Sequence, residues 1–154
     1  MIYLDVCCLN RPFDNQVQER IRLESEAVLA ILSGCERGKW YLVNSEVIEY
    51  EVSLTPDLEK REKVIAFTSL AHDKINVDSR VEKRANYLVG LGFKSFDALH
   101  LACAESFFVE VLLTTDDKFL NKAIKNKSKL KVRVENPVIW LMEVTQNAGS
   151  DDES

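Results

Sequence analysis

Hydrophobic positions along the chain change period several times. Short continuous apolar runs alternate with stretches that repeat every three or four residues. Short apolar runs bounded by polar turns suit buried strands, and the 3.6-residue repeats suit helices packed on them. Strands are expected at 2–5, 41–43, 110–114 and 131–134, with a shorter strand or extended link inside "HDKINV". A helix is expected at 19–35, where Ile21, Ala27, Val28, Ile31 and Leu32 share a face and Gly34 and Gly38 mark the end. Ser45 can cap a helix to about 53, and Pro56 opens another to about 71. Ser79 and Glu82 have capping-box spacing ahead of a helix that ends near Gly90 and Gly92. Ser95 is placed to cap "FDALHLACAESFF", a helix apolar on most sides and therefore buried. Further helices are expected at 116–125 and 137–144. "CCLNRPFDNQ" reads as a loop, because Pro12 excludes a regular continuation. The alternation argues for the α/β class with a largely parallel sheet.

A length of 154 residues suits one domain, expected over 1–145, followed by a polar, acidic tail at 146–154 that reads as disordered. No apolar run approaches the roughly 20 residues of a spanning helix. "MIYLDVCCLNRPFD" has neither a basic leader nor an apolar core, so no secretion signal is expected and the cytoplasm is the expected location. Cys7, Cys8, Cys35 and Cys103 show no zinc-type spacing and read as small buried thiols of a reducing compartment. The net charge of −5 argues against binding nucleic acid by bulk electrostatics. Its distribution is uneven. Lys118, Lys122, Lys125, Lys127, Lys129, Lys131 and Arg133 fall in one stretch without an acid, leaving −12 for the remainder. Such a segment is either a basic lobe for a polyanion or a solvated lysine-rich turn.

Acid placement carries the chemistry. Asp5 and Asp116 follow apolar runs, and the carboxyl ends of parallel strands lie along the edge where ligands bind. Asp97 falls in the first turn of its helix, where the dipole favours a charged carboxylate. Singly, each acid is as well explained as a cap or a surface charge. Gathered at one edge they repel unless a cation lies among them, and hard divalent cations take oxygen ligands. Glu51, in a short helical stretch, is the candidate fourth carboxylate.

"IYLDVCCLN", "SFDALHLACAE" and "LLTTDDKFL", in this order, resemble the PIN-domain nucleases, including VapC-type toxins, over nearly the whole chain from residue 2 to about 141. The resemblance implies a three-layer α/β/α sandwich with a central, mainly parallel sheet of about five strands. It also implies Mg²⁺ or Mn²⁺ held by three or four acids to hydrolyse RNA, leaving 5′-phosphate and 3′-hydroxyl ends. Asp5, Asp97 and Asp116 match the metal-binding aspartates, and Thr114 matches a hydroxyl residue that would orient the Asp116 carboxylate. Asp117 is auxiliary. For the glutamate, "NSEVIEYEV" offers Glu46, Glu49 and Glu51, and counting from the Ser45 cap favours Glu51, then Glu46. The family's Thr and Ser or Asn after the first aspartate are here Val6 and Cys7. A thiol is a poor donor, so support for Asp5 is expected from the backbone. An antitoxin partner and a homodimer are family expectations.

His100, three residues after Asp97, shares its helix face and reads either as a packing residue or as a donor to a carboxylate. Asn10, Arg11 and Lys118 are candidate phosphate contacts, and Trp40 and Trp140 read as core. A haloacid-dehalogenase-like phosphatase needs a second aspartate where Cys7 stands. A receiver domain needs its acids paired early. The serious rival is a PIN-fold protein- or RNA-binding module without nuclease activity.

Overall fold

The expected alternation is realised in the computed structural model, which describes residues 1–153 and side chains as far as residue 147. Strands β1 (Ile2–Leu4), β2 (Leu42–Ser45), β3 (Asp73–Ile75), β4 (Val111–Leu113) and β5 (Arg133–Glu135) form one sheet in the order β3-β2-β1-β4-β5. Every neighbouring pair is parallel. Parallel pairing requires crossovers, and the intervening helices supply them. These are α1 (Val6–Asn10), α2 (Glu19–Glu36), α3 (Glu46–Ser53), α4 (Leu58–Thr68), α5 (Ser79–Gly90), α6 (Ser95–Ser106), α7 (Asp117–Lys125) and α8 (Pro137–Glu153). The result is an α/β/α sandwich. All three residues of β1 and of β4 are buried, as strands covered on both faces must be.

The chain builds outward from β1 to β2 and β3, then crosses to β4 and β5 on the other side. The order therefore reverses beside β1, the point at which sheets of this kind form a crevice outside the carboxyl ends of their strands. No helix among the described residues is long and apolar enough to cross a membrane.

Several elements differ from expectation. The segment after β1 is not a loop. Asp5 caps α1, and a 3₁₀ turn at Arg11–Phe13 places Pro12 near its start, where a missing N–H costs nothing. Asp78, rather than Ser79, caps α5 by accepting from the Val81 N–H at 2.9 Å. Ser95 begins α6 rather than capping it; Lys94 occupies the cap position without a side-chain bond. The final helix continues past 144, and most of the tail expected to be disordered at 146–154 has side chains outside the described residues.

A buried acid joins the layers at this end of the sheet. Glu24 of α2 is 1% exposed and accepts from Arg11 Nε at 2.9 Å and from Asn136 Nδ2 at 2.7 Å. Arg20 approaches its other side at 3.3 Å. Asn136 in turn caps α8 through the Val138 N–H at 2.8 Å. Gly38, at φ +80°, follows the Arg37 C-cap and closes α2 as expected, while Gly34 lies within its last turn. A methyl group there would overlap the Trp40 ring, which meets Trp140 edge-on at 5.1 Å between centroids.

This last contact sets two effects against each other. Alanine at position 34 gains about 1 kcal/mol of helix propensity. Overpacking against a ring held by a second tryptophan costs about 1–3 kcal/mol. Gly34→Ala should therefore lower stability in urea unfolding and shift the tryptophan fluorescence; a more stable variant with an unchanged spectrum would refute the packing argument.

Candidate metal centre

Asp5 leaves the sheet at the end of its central strand with its side chain almost fully buried. A carboxylate there must collect donors, and it has three. Oδ1 accepts from the Val6 N–H at 2.7 Å, while Oδ2 accepts from Thr114 Oγ1 at 3.1 Å and from the Cys7 thiol at 3.4 Å. Support thus comes from backbone, hydroxyl and thiol together. The sequence assigned Thr114 to the Asp116 carboxylate. Its hydroxyl instead donates to Asp5 and accepts from the Asp116 backbone N–H at 3.1 Å. Cys7 Sγ lies 3.2 Å from that hydroxyl and accepts from the Thr115 N–H at 3.4 Å.

Helix α3 begins at Ser45, whose Oγ accepts from the Ile48 N–H at 3.0 Å. Its far turn brings Glu51 toward α6. There His100 Nε2 lies 2.9 Å from Glu51 Oε1 and 3.6 Å from Asp5 Oδ1. The other ring nitrogen, Nδ1, lies 2.5 Å from the Tyr3 hydroxyl, which is 2.7 Å from Ser45 Oγ. Tyr3, Ser45 and His100 are all fully buried. The ligand atoms of Asp5, Glu51 and His100 lie within 4.8 Å of one another.

The remaining candidates are dispersed around this set. Asp97, half-buried on the first turn of α6, is close enough to Asp5, Asp116, Glu51 and His100 to feel their charges. Asp116 caps α7, its Oδ1 accepting from the Lys118 N–H at 2.9 Å and the Phe119 N–H at 3.3 Å. Asp117 faces away into a two-bond pair with Arg20 at 2.7 and 2.6 Å, which holds its carboxyl below the usual range. Glu46 accepts from the Val77 N–H at 3.2 Å, and Glu49 pairs with Lys74 at 2.9 Å. Arg11 is engaged by Glu24 and Asp14. Lys118 is exposed at the first turn of α7. Asn10 Oδ1 is buried with no protein partner, a cost of about 1–3 kcal/mol unless another donor reaches it. Neither Tyr3 nor Ser45 stood out as a site residue in the sequence: one sits in an apolar strand and the other reads as a cap.

Electrostatics follow from burial and crowding. Burial, then the Glu51 charge, raises the Asp5 carboxyl, against the opposing pull of His100. Burial and the neighbouring Asp5 and Asp116 carboxylates push Asp97 up to about 6. Burial alone would lower His100; the bond to Glu51 and the charge of Asp5 outweigh it and leave the imidazole raised. A divalent cation would relieve this crowding. The donor set of carboxylate oxygens with an adjoining imidazole fits an ion such as Mg²⁺ or Mn²⁺.

No family model matches the chain, and no curated protein does. Among solved structures it is similar to a chain of VapBC2 from Rickettsia felis, described as bound to a DNA fragment from their promoter. The two are 19% identical, with 88% of this chain and 98% of that one covered and a TM-score of 0.57. The likeness is one of fold. It agrees with the architecture that the VapC-type motifs imply.

The raised Asp97 carboxyl gives a stability prediction. Folding lifts its pKa from 3.8 to about 6, so the folded state binds the proton more tightly. That contribution is complete below pH 3.8 and is lost as the pH rises through about 6. Asp97→Asn should therefore raise the metal-free melting temperature at pH 7.5 and leave it nearly unchanged near pH 3.5. An equal shift at both pH values would show that the repulsion is absent.

Proposed function

We propose that this chain is a metal-dependent endoribonuclease that hydrolyses RNA phosphodiester bonds with Mg²⁺ or Mn²⁺, as the toxin of a toxin–antitoxin pair. The observation that carries the reading is Asp5, a buried carboxylate at the reversal point of the sheet, facing Glu51 and His100 with Asp97 and Asp116 nearby. A structural role alone would not gather acids whose charges raise the Asp5 and Asp97 carboxyls; such clusters mark functional sites.

Asp5, Asp97 and Asp116 would hold the ion, with Glu51 completing the rim. When bound, a divalent cation supplies an acidified water and neutralises charge on the leaving oxygen. The Val6 N–H and Thr114 fix Asp5 so that its oxygens need not reorganise on binding. Lys118, at the start of α7, and Asn10 would contact phosphate. Arg11 would have to leave Glu24 to take part, which argues for a supporting role. Both nitrogens of His100 are engaged, so it is not a free base for proton transfer.

The likeness to a VapBC2 chain supports an antitoxin protein as partner, and the VapC-type motifs support a homodimer in the cytoplasm. A binding module without activity is the rival reading. Cys7 in the place of a hydroxyl residue favours it, because a thiol holds Asp5 less firmly.

Cleavage of a labelled single-stranded RNA separates them. The chain should cut with Mn²⁺, stop in EDTA, and lose at least about 100-fold in rate in Asp5→Asn, since even outer-shell partners of a metal cost 10–100-fold. A chain that neither cuts nor binds Mn²⁺ would be the binding module.

A further inference from the structure

The imidazole is the donor that an all-carboxylate site leaves out. We propose that His100 Nε2 is itself a metal ligand, forming with Asp5 and Glu51 a mixed nitrogen–oxygen set that favours a first-row transition ion over Mg²⁺. The inference rests on the metal-dependent reading above and adds to it a nitrogen donor and an ion preference.

The spacing suits it. Two donors each about 2.1 Å from an ion and at right angles lie about 3.0 Å apart. Nε2 is 2.9 Å from Glu51 Oε1 and 3.6 Å from Asp5 Oδ1, so an ion can enter with shifts of a few tenths of an ångström. The ring is also held as a ligand should be. With the Nε2 lone pair turned to the ion, Nδ1–H donates to the Tyr3 oxygen and the Tyr3 hydroxyl donates to Ser45 Oγ. A second hydrogen bond of this kind fixes the tautomer and orientation of ligating histidines. Tyr3 meets the ring edge-on at 5.5 Å, and complete burial keeps the ring from swinging out.

The ion preference follows from the donors. Mg²⁺ takes near-octahedral oxygen and keeps several waters, whereas imidazole suits transition ions and leaves less room for hydration. The competing arrangement is an imidazolium that bridges Asp5 and Glu51 as a fixed cation, with any metal displaced toward Asp97 and Asp116. The two differ in whether nitrogen touches the ion.

Pulsed electron paramagnetic resonance of Mn²⁺ bound to the full chain reads this directly. A coupling from a directly coordinated ¹⁴N is expected in the wild type and should vanish in His100→Gln. Tyr3→Phe should keep the coupling and weaken Mn²⁺ about 10–100-fold, as loss of an outer-shell partner does. Competition should favour Mn²⁺ over Mg²⁺ by at least tenfold, and His100→Gln should narrow that ratio. Should His100→Gln fail to fold, the wild-type spectrum and Tyr3→Phe still decide the matter. Bound Mn²⁺ without nitrogen coupling would overturn the ligand role and leave the metal reading standing. No bound Mn²⁺ at all would overturn both.

Discussion

The hydrogen bond from Thr114 to Asp5 joins the ends of the two central strands, and it exists because a buried carboxylate cannot remain without donors. An unpaired charge in this position would cost several kcal/mol or take up a proton. The local fold answers with a helix start beneath Oδ1 and a hydroxyl and thiol beside Oδ2. That helix, α1, is only five residues long, too short to be stable alone. Its first turn is fixed by the acid that would serve the chemistry. Capping the helix and holding a buried carboxylate at the strand end are thus the same geometric requirement at Asp5. Asp116 repeats the arrangement at α7.

Glu24 shows the contrasting solution to a buried acid. It meets two guanidinium groups and an amide, so its oxygens are satisfied by permanent partners. Removing one partner of such a group costs several kcal/mol, although a buried pair adds little over apolar packing. Its value is positional: α2, the turn after α1 and the start of α8 meet on one carboxylate. Asp5 has only neutral donors and one imidazole, and two further acids raise Asp97 beside it. One acid is neutralised within the chain; the other group retains excess negative charge at an accessible edge.

What the sequence disclosed follows the range of the interactions involved. β1 and β4 were legible because each is a short apolar run closed by polar residues, Asp5 after one and Thr114 after the other, and α3 because Ser45 is a strong cap. A five-residue helix has no periodicity to read, so α1 passed for a loop. At α5 and α6 the serines misled by one place, since Asp78 caps as well as serine and Ser95 tolerates the first helical position. Asp5, Asp97 and Asp116 could be listed from local context. The contacts of His100 with Glu51, 49 residues away, and with Tyr3, 97 residues away, could not. No local pattern distinguishes a histidine that packs from one that both packs and binds two partners.

Topology also resolves the ambiguity of the basic stretch. Helix α7 starts at Asp116 and runs away from the crevice, and at 1.5 Å per residue Lys125 lies about 10 Å farther along the axis than Lys118. Lys122 is occupied by the Gly92 carbonyl at 2.8 Å, and Arg133 by Glu135 and Glu143. The stretch is therefore no uniform lobe beside the acids. Lys118 alone stands at the rim, and the others form a trail toward the opposite edge. About 10 Å is one screening length at 0.1 M salt, so the distant lysines can draw a polyanion toward this face without setting its register at Asp5. Positioning of a polyanion at the acids would then fall to short-range contacts, in keeping with a net charge of −5 that argues against binding by bulk electrostatics.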